Sequence, residues 1–158
     1  MRIALVHDHL GQDGGAERVV RVWQQMFPQA PLFTLVHNPK QANPEFAKTD
    51  IRTSFIQKLP FGSTRYQWYL PLMPTAVERY PLQEDYDVVL SSAASFSKGV
   101  ITLPKTLHIS YIHSPTRYLW SDTTRYVDEL PYPNFLKWYA PHVLSRIRQW
   151  DYVAAQRP

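Results

Sequence analysis

The chain has 158 residues, with 17 Lys+Arg against 13 Asp+Glu, a formal charge of +4 and no cysteine. That length fits one domain, or one half of a larger protein, and with Leu, Ile, Val and Phe at about a quarter of its residues the chain can bury a core. The missing cysteines exclude a disulfide scaffold, a thiolate metal site and a cysteine nucleophile. No apolar stretch approaches the roughly 18 residues of a spanning helix, and the N-terminus lacks the apolar segment of a signal peptide, so a soluble, cytoplasmic domain is expected.

In chain order, Arg2 to Val6 is a short apolar run that ends in His7-Asp8-His9, predicting a buried parallel strand that meets a functional edge. A loop with Gly11, Gly14 and Gly15 follows. From Ala16 to Phe27, Val19, Val20, Val22, Trp23, Met26 and Phe27 recur at helical spacing, and Pro28 stops the helix. Leu32 to Val36 is a second strand and Ile51 to Phe55 a third. Tyr86 to Leu90 predicts an interior strand, with Ser91, Ser92 and Ser95 placed to cap a following helix. Gly99 to Leu103 and Leu107 to Ile112 predict two more strands, with Pro104-Lys105 turning between them. From about Pro141 to Gln156 the spacing of Val143, Leu144, Ile147, Trp150, Val153 and Ala154 predicts an amphipathic helix started by proline. Strand, glycine loop, helix and strand together predict an α/β fold with a parallel sheet.

The glycine loop could bring backbone N–H groups and a helix dipole to an anion. Its spacing is not G-x-G-x-x-G, no acidic residue ends the second strand, and no G-K-[ST] follows, so neither a dinucleotide fingerprint nor a P-loop is present. An ordinary βα turn, with Glu17 in the first helical turn, is supported equally by the spacing. His7 and His9 share a face of a strand, but no third ligand stands at metal spacing, which favours hydrogen-bonded strand-end residues over a metal site. His113 ends the strand Leu107–Ile112, and Arg117 follows four residues later across Ser114-Pro115-Thr116. The two can converge on a ligand at the sheet edge, or form a capped turn with a solvated Arg. No Ser-His-Asp set and no paired carboxylates stand out. Between Lys48 and Arg79, five basic residues face two acids and interleave with aromatics.

Taken in order, several stretches are familiar. They are Ile3-Ala4-Leu5-Val6-His7-Asp8, Gly14-Gly15-Ala16-Glu17-Arg18-Val19, Ile51-Arg52-Thr53-Ser54-Phe55, and Tyr69-Leu70-Pro71-Leu72-Met73-Pro74. After them come Tyr86-Asp87-Val88-Val89-Leu90-Ser91-Ser92 and Tyr111-Ile112-His113-Ser114-Pro115-Thr116-Arg117-Tyr118-Leu119-Trp120. The chain resembles the N-terminal, acceptor domain of a GT-B retaining glycosyltransferase of family 4, in the mannosyltransferase-like group of lipopolysaccharide and exopolysaccharide biosynthesis. The resemblance implies a Rossmann-like three-layer α/β/α domain with a mostly parallel sheet over residues 1–140, and a helix over 141–158 leading to a second, donor-binding domain. It implies hexose transfer, with mannose the expected sugar, from a nucleotide-sugar to a saccharide or lipid-linked acceptor. Gly14 and Gly15 would face the donor diphosphate or the acceptor, His113 would sit against the donor sugar as the catalytic residue, and Arg117 would contact an anion. No metal and no cofactor beyond the nucleotide-sugar substrate is implied.

The family's E-x7-E motif belongs to the second domain and is not found here, so the chain is expected to end where that domain begins and to be inactive alone. The Lys48–Arg79 region is expected to dock on anionic headgroups at the inner face of the membrane, with at least half of Phe55, Leu59, Tyr66 and Trp68 packed in the core. Two rival readings are a non-catalytic domain that docks on a catalytic partner and a nucleic-acid-binding module. The mild charge and the lack of a known binding motif speak against nucleic acid.

Overall fold

A computed structural model describes residues 1–83, 86–129 and 134–158, with residues 134–136 described by backbone alone. Strand β1, Ile3–Leu10, runs further than the apolar stretch predicts. Its polar end, His7-Asp8-His9, continues the ladder, with His7 opposite both Thr34 and Ser92 and His9 opposite Val36. Helix α1, Gly15–Met26, buries Val20 and part of Trp23 but leaves Val22 and Met26 in solvent. Strands β2, Leu32–His37, and β3, Ile51–Thr53, follow. The segment after β3 folds into 3₁₀ turns over Phe55–Lys58 and Tyr66–Leu72 and then into helix α2, Met73–Glu78. Strand β4 is Val88–Ala93 and strand β5 is Leu107–Ile112. Short helices α3, Arg117–Trp120, and α4, Thr123–Glu129, precede the long helix α5, Asn134–Ala154.

Among the described residues the sheet has five parallel strands in the order β3-β2-β1-β4-β5. Side chains alternate between its faces, which gives two cores. Leu5, Leu10, Val20, Leu32 and Phe46 fill the one beneath α1. Val6, Phe33, Leu35, Val77, Leu82, Val89, Leu144 and Ile147 fill the other, beneath α2 and α5. Each such buried side chain contributes about 1.5–3 kcal/mol relative to exposure. The result is the expected Rossmann-like three-layer α/β/α arrangement.

Three local expectations are corrected. Ser91 and Ser92 are buried residues of β4 and cap no helix, because the ladder continues three residues past Leu90. Gly99 to Leu103 is not a strand. Gly99 closes a 3₁₀ turn and lies against Trp150 of α5, where a Cβ would overlap the indole ring. Helix α5 spans Asn134–Ala154, so Pro141 lies within it and does not start it. No helix among the described residues is long and apolar enough to cross a membrane. Strand β5 is an edge, and Leu107, Ile109 and Tyr111 on one of its faces are exposed.

Candidate functional site

Parallel pairing brings the carboxyl ends of β1, β4 and β5 to one edge, the usual ligand side of an open α/β sheet. His7 pairs with Ser92, Ser92 with Tyr111, and the N–H of His113 donates to the carbonyl of Ala93 at 3.0 Å. The Ser92 hydroxyl lies 2.8 Å from Nε2 of His113, and the ring of Tyr111 meets the His113 ring edge-on at 4.9 Å. Partial burial, reinforced by the charge of His7, lowers the pKa of His113 against the opposing pull of Asp8 and Glu17. That lowering favours the neutral imidazole, which can donate from one nitrogen and accept at the other.

The glycine loop enters the same edge. Gly14 is the N-cap of α1, and its N–H donates to Oε2 of Glu17 at 2.9 Å, so one of the expected backbone donors is already engaged by the chain's own carboxylate. Gly15 is exposed, and a Cβ on it would meet nothing within 4 Å. It therefore leaves open space beside the first helical turn, whose N–H groups have no intrahelical partner. Arg117 opens α3, is exposed, and forms no ion pair among the described residues. The structure brings His113 and the glycine loop to one edge through Ser92, His7 and Glu17, while Arg117 stands on the adjoining helix without contact to that set.

The polar groups behind this edge carry no periodic signal in the sequence. Both His7 and Glu17 are 1% exposed, with Nε2 of His7 3.5 Å from Oε1 of Glu17 and Nδ1 of His7 donating to the Ser92 carbonyl at 3.1 Å. Burial alone would raise Glu17, but hydrogen bonds from His7, a backbone N–H and Gln12, together with the charge of His7, hold its carboxyl at about 2. Asp8 accepts four backbone N–H groups, from Ala94, Ser95, Phe96 and Ser97, at 2.6–2.8 Å. Lys98 donates to Asp151 of α5 at 2.6 Å, and Asp151 also accepts from Thr116 and the Trp120 indole. The loop after β4 is thus fastened from both sides.

On the other flank of that loop lies a cleft of about 230 Å³, lined among others by His9, Tyr66, Gln67, Ser95, Tyr118 and Tyr126. The rings of Tyr118 and Tyr126 stack at 4.7 Å and those of His9 and Tyr66 approach to 5.0 Å. A roomier hollow of about 380 Å³ lies between Arg2, Phe27, Asp50 and Tyr86. It sits at the amino ends of the strands, where open α/β sheets do not bind their ligands. Among the described residues no group of three or more His, Asp or Glu is arranged to hold a metal ion. Compared with protein-family models, with curated proteins and with solved structures, the chain gives no match in any of the three.

Proposed function

We propose that this chain is the acceptor-side, N-terminal domain of a retaining glycosyltransferase of the GT-B family 4 type. In this reading it moves a hexose, with mannose the expected sugar, from a nucleotide-sugar to a saccharide or lipid-linked acceptor, and a second domain holds the donor. The observation that carries the reading is the His113 ring, held by Ser92 at the carboxyl edge of a parallel sheet whose first helix opens with the unobstructed Gly15. In retaining transfer the donor sugar gains positive charge as the bond to the diphosphate breaks. A neutral imidazole and its neighbouring carbonyls can face that charge without repelling it, where an imidazolium would not. Gly15 leaves room for a phosphate or hydroxyl near the helix N-terminus, and Arg117 supplies a cation for an anion arriving from α3.

The test is transfer of labelled hexose from nucleotide-hexoses to saccharide and lipid-linked acceptors, with the chain joined to a donor-binding domain of that family. His113→Ala should lower the rate by about 10²-fold or more, and an undiminished rate would remove His113 from the mechanism. Failure of every donor and acceptor would favour the non-catalytic reading.

Membrane docking of the 48–79 region has its own support. Ile56, Leu70, Met73 and Val77 are buried, while Phe61, Trp68 and Leu72 are exposed beside the exposed bases Lys58 and Arg65. Arg65 lies over both the Phe61 and Trp68 rings, at 5.6 and 4.8 Å. Of the two acids of the region, Asp50 pairs with Arg52 within it and Glu78 with Arg157 outside it. An exposed aromatic pair capped by a base is suited to an anionic bilayer surface, which would bring a lipid-linked acceptor to the domain.

A further inference from the structure

We propose that Glu17 is a positioning residue, which through His7 and Ser92 fixes the ring of His113. The proposal deepens the reading of the site given above, and it rests on that reading only for its consequence in catalysis.

The Ser92 carbonyl can only accept, so the contact at 3.1 Å requires a proton on Nδ1 of His7. The opposite nitrogen, Nε2, points at Oε1 of Glu17 across 3.5 Å. Both of these atoms are buried, and neither has another hydrogen-bond partner among the described residues. Were Nε2 bare, two acceptors would face one another in a dry interior, and each would carry an uncompensated desolvation cost. A proton on Nε2 removes the conflict, so both ring nitrogens of His7 carry a proton and the ring bridges Glu17 to the Ser92 carbonyl. That proton belongs on Nε2 and not on Oε1, because Glu17 already accepts the Gly14 N–H and stands in the first turn of α1, where the helix dipole favours an ionised carboxylate.

Ser92 then joins the two halves of the site. Its carbonyl is held by His7 and also accepts the hydroxyl of Ser97 at 2.8 Å, while its own hydroxyl meets Nε2 of His113. The other oxygen of Glu17 takes the N–H of Gly14. One buried carboxylate therefore sets both the glycine loop and, three contacts away, the imidazole at the sheet edge. The chain spends a buried charge pair on this rather than an apolar contact, a choice that favours one arrangement over others more than it favours stability.

The experiment uses the 158-residue protein labelled with ¹⁵N in its histidine rings, observed by NMR at neutral pH. In the wild type, His7 should show two protonated ring nitrogens. Glu17→Gln keeps an oxygen for the Gly14 N–H but removes the charge, and should cost His7 one ring proton while the Nδ1–H remains. Ser92→Ala keeps the carbonyl and loses the hydroxyl, so the His113 ring signals should move while those of His7 stay. A neutral His7 in the wild type would overturn the proposal, as would a His7 unchanged by Glu17→Gln or a His113 unmoved by Ser92→Ala. If Glu17→Gln does not fold, the wild-type state of His7 and the Ser92→Ala comparison decide it. No sugar transfer enters the readout, so failure of the glycosyltransferase reading and failure of this one are separate results.

Discussion

The carboxylate of Asp8 accepts the backbone N–H of Ser97 at 2.6 Å, although 89 residues of chain separate the two. With three further N–H groups on the same carboxylate, its acceptor positions are filled by the protein. Asp8 therefore acts as a clamp on the loop after β4, and a general-base role would require breaking that clamp. Asp8→Asn replaces one acceptor oxygen with an N–H₂ that faces other donors. Each oxygen takes two of the donors, so at about 1–3 kcal/mol for each donor left unpaired the loss of stability should be about 2–6 kcal/mol by urea unfolding. A loss under about 1 kcal/mol would mean that the loop holds itself.

Lys98 and Asp151 form the second fastening, both nearly excluded from water. Removing one partner strands the other charge, so Lys98→Met should cost about 3–5 kcal/mol. The double variant Lys98→Met/Asp151→Leu should cost clearly less than the two single losses added together. Additive losses in that double-mutant cycle would show that the ion pair itself contributes little.

Stability should fall in two stages as pH is lowered. Burial, with the charge of Arg157 behind it, lowers His108 from 6.5 to about 4, and Glu17 falls from 4.5 to about 2. Both folded values lie below their unfolded ones, so each contribution is complete above the unfolded value and is lost as pH falls towards the folded one. His108 acts between pH 6.5 and 4 and Glu17 between 4.5 and 2, each on the order of 2–3 kcal/mol. In urea midpoints measured against pH, His108→Gln, which can still bond the Ser91 hydroxyl, should flatten the upper stage alone. An unchanged slope there would assign the loss to other groups.

Gly15 and Gly62 separate function from folding. A Cβ at Gly15 has free space, so Gly15→Ala should leave stability within about 1 kcal/mol. If the proposed transferase reading holds, it should nevertheless weaken binding of nucleotide-hexose or of acceptor, measured by calorimetry with each in turn; unchanged binding of both would remove Gly15 from the proposed site. At Gly62 a Cβ would overlap the carbonyl oxygen of Ile56, and Gly62→Ala should destabilise strongly. Equal stability of the two variants would contradict the packing around Gly62.

Phe61 holds a φ of 56°, a left-handed conformation unusual for a bulky side chain, and its ring is 62% exposed. Phe61→Gly relieves a strain of about 1–2 kcal/mol, partly offset by the freer unfolded chain, so stability should hold or rise. Flotation with anionic vesicles should show wild-type binding that weakens with salt and falls further in this variant. Wild-type protein that stays in the aqueous fraction at low salt would discard the membrane reading.

The scaffold was legible from short-range pattern. The Ile3–Val6 run, the helical spacing after Gly15 and the β-rich Val88–Leu90 and Leu107–Ile112 segments each announce their element within a few residues. What the pattern could not carry was pairing across the chain. Nothing near Asp8 signals that its carboxylate is taken by residues 94–97, and nothing near Lys98 points to Asp151, since such contacts have no period. The apolar run from Gly99 reads as a strand because β-propensity ignores tertiary neighbours, and here Gly99 lies against the indole of Trp150 at the end of a 3₁₀ turn. At the site, His113 and the glycine loop were visible as residues, whereas Glu17, His7 and Ser92, which connect them, were not visible as a set.

Strand β5 has a consequence for the protein in bulk solution. Between residues 107 and 112 it has neither a proline nor a lysine, the devices that usually blunt a sheet margin, and Leu107, Ile109 and Tyr111 stand bare along it. Self-association at high concentration would therefore start at these six residues. A charged substitution at Ile109, which the core does not use, is the smallest change that would raise the working solubility of the chain.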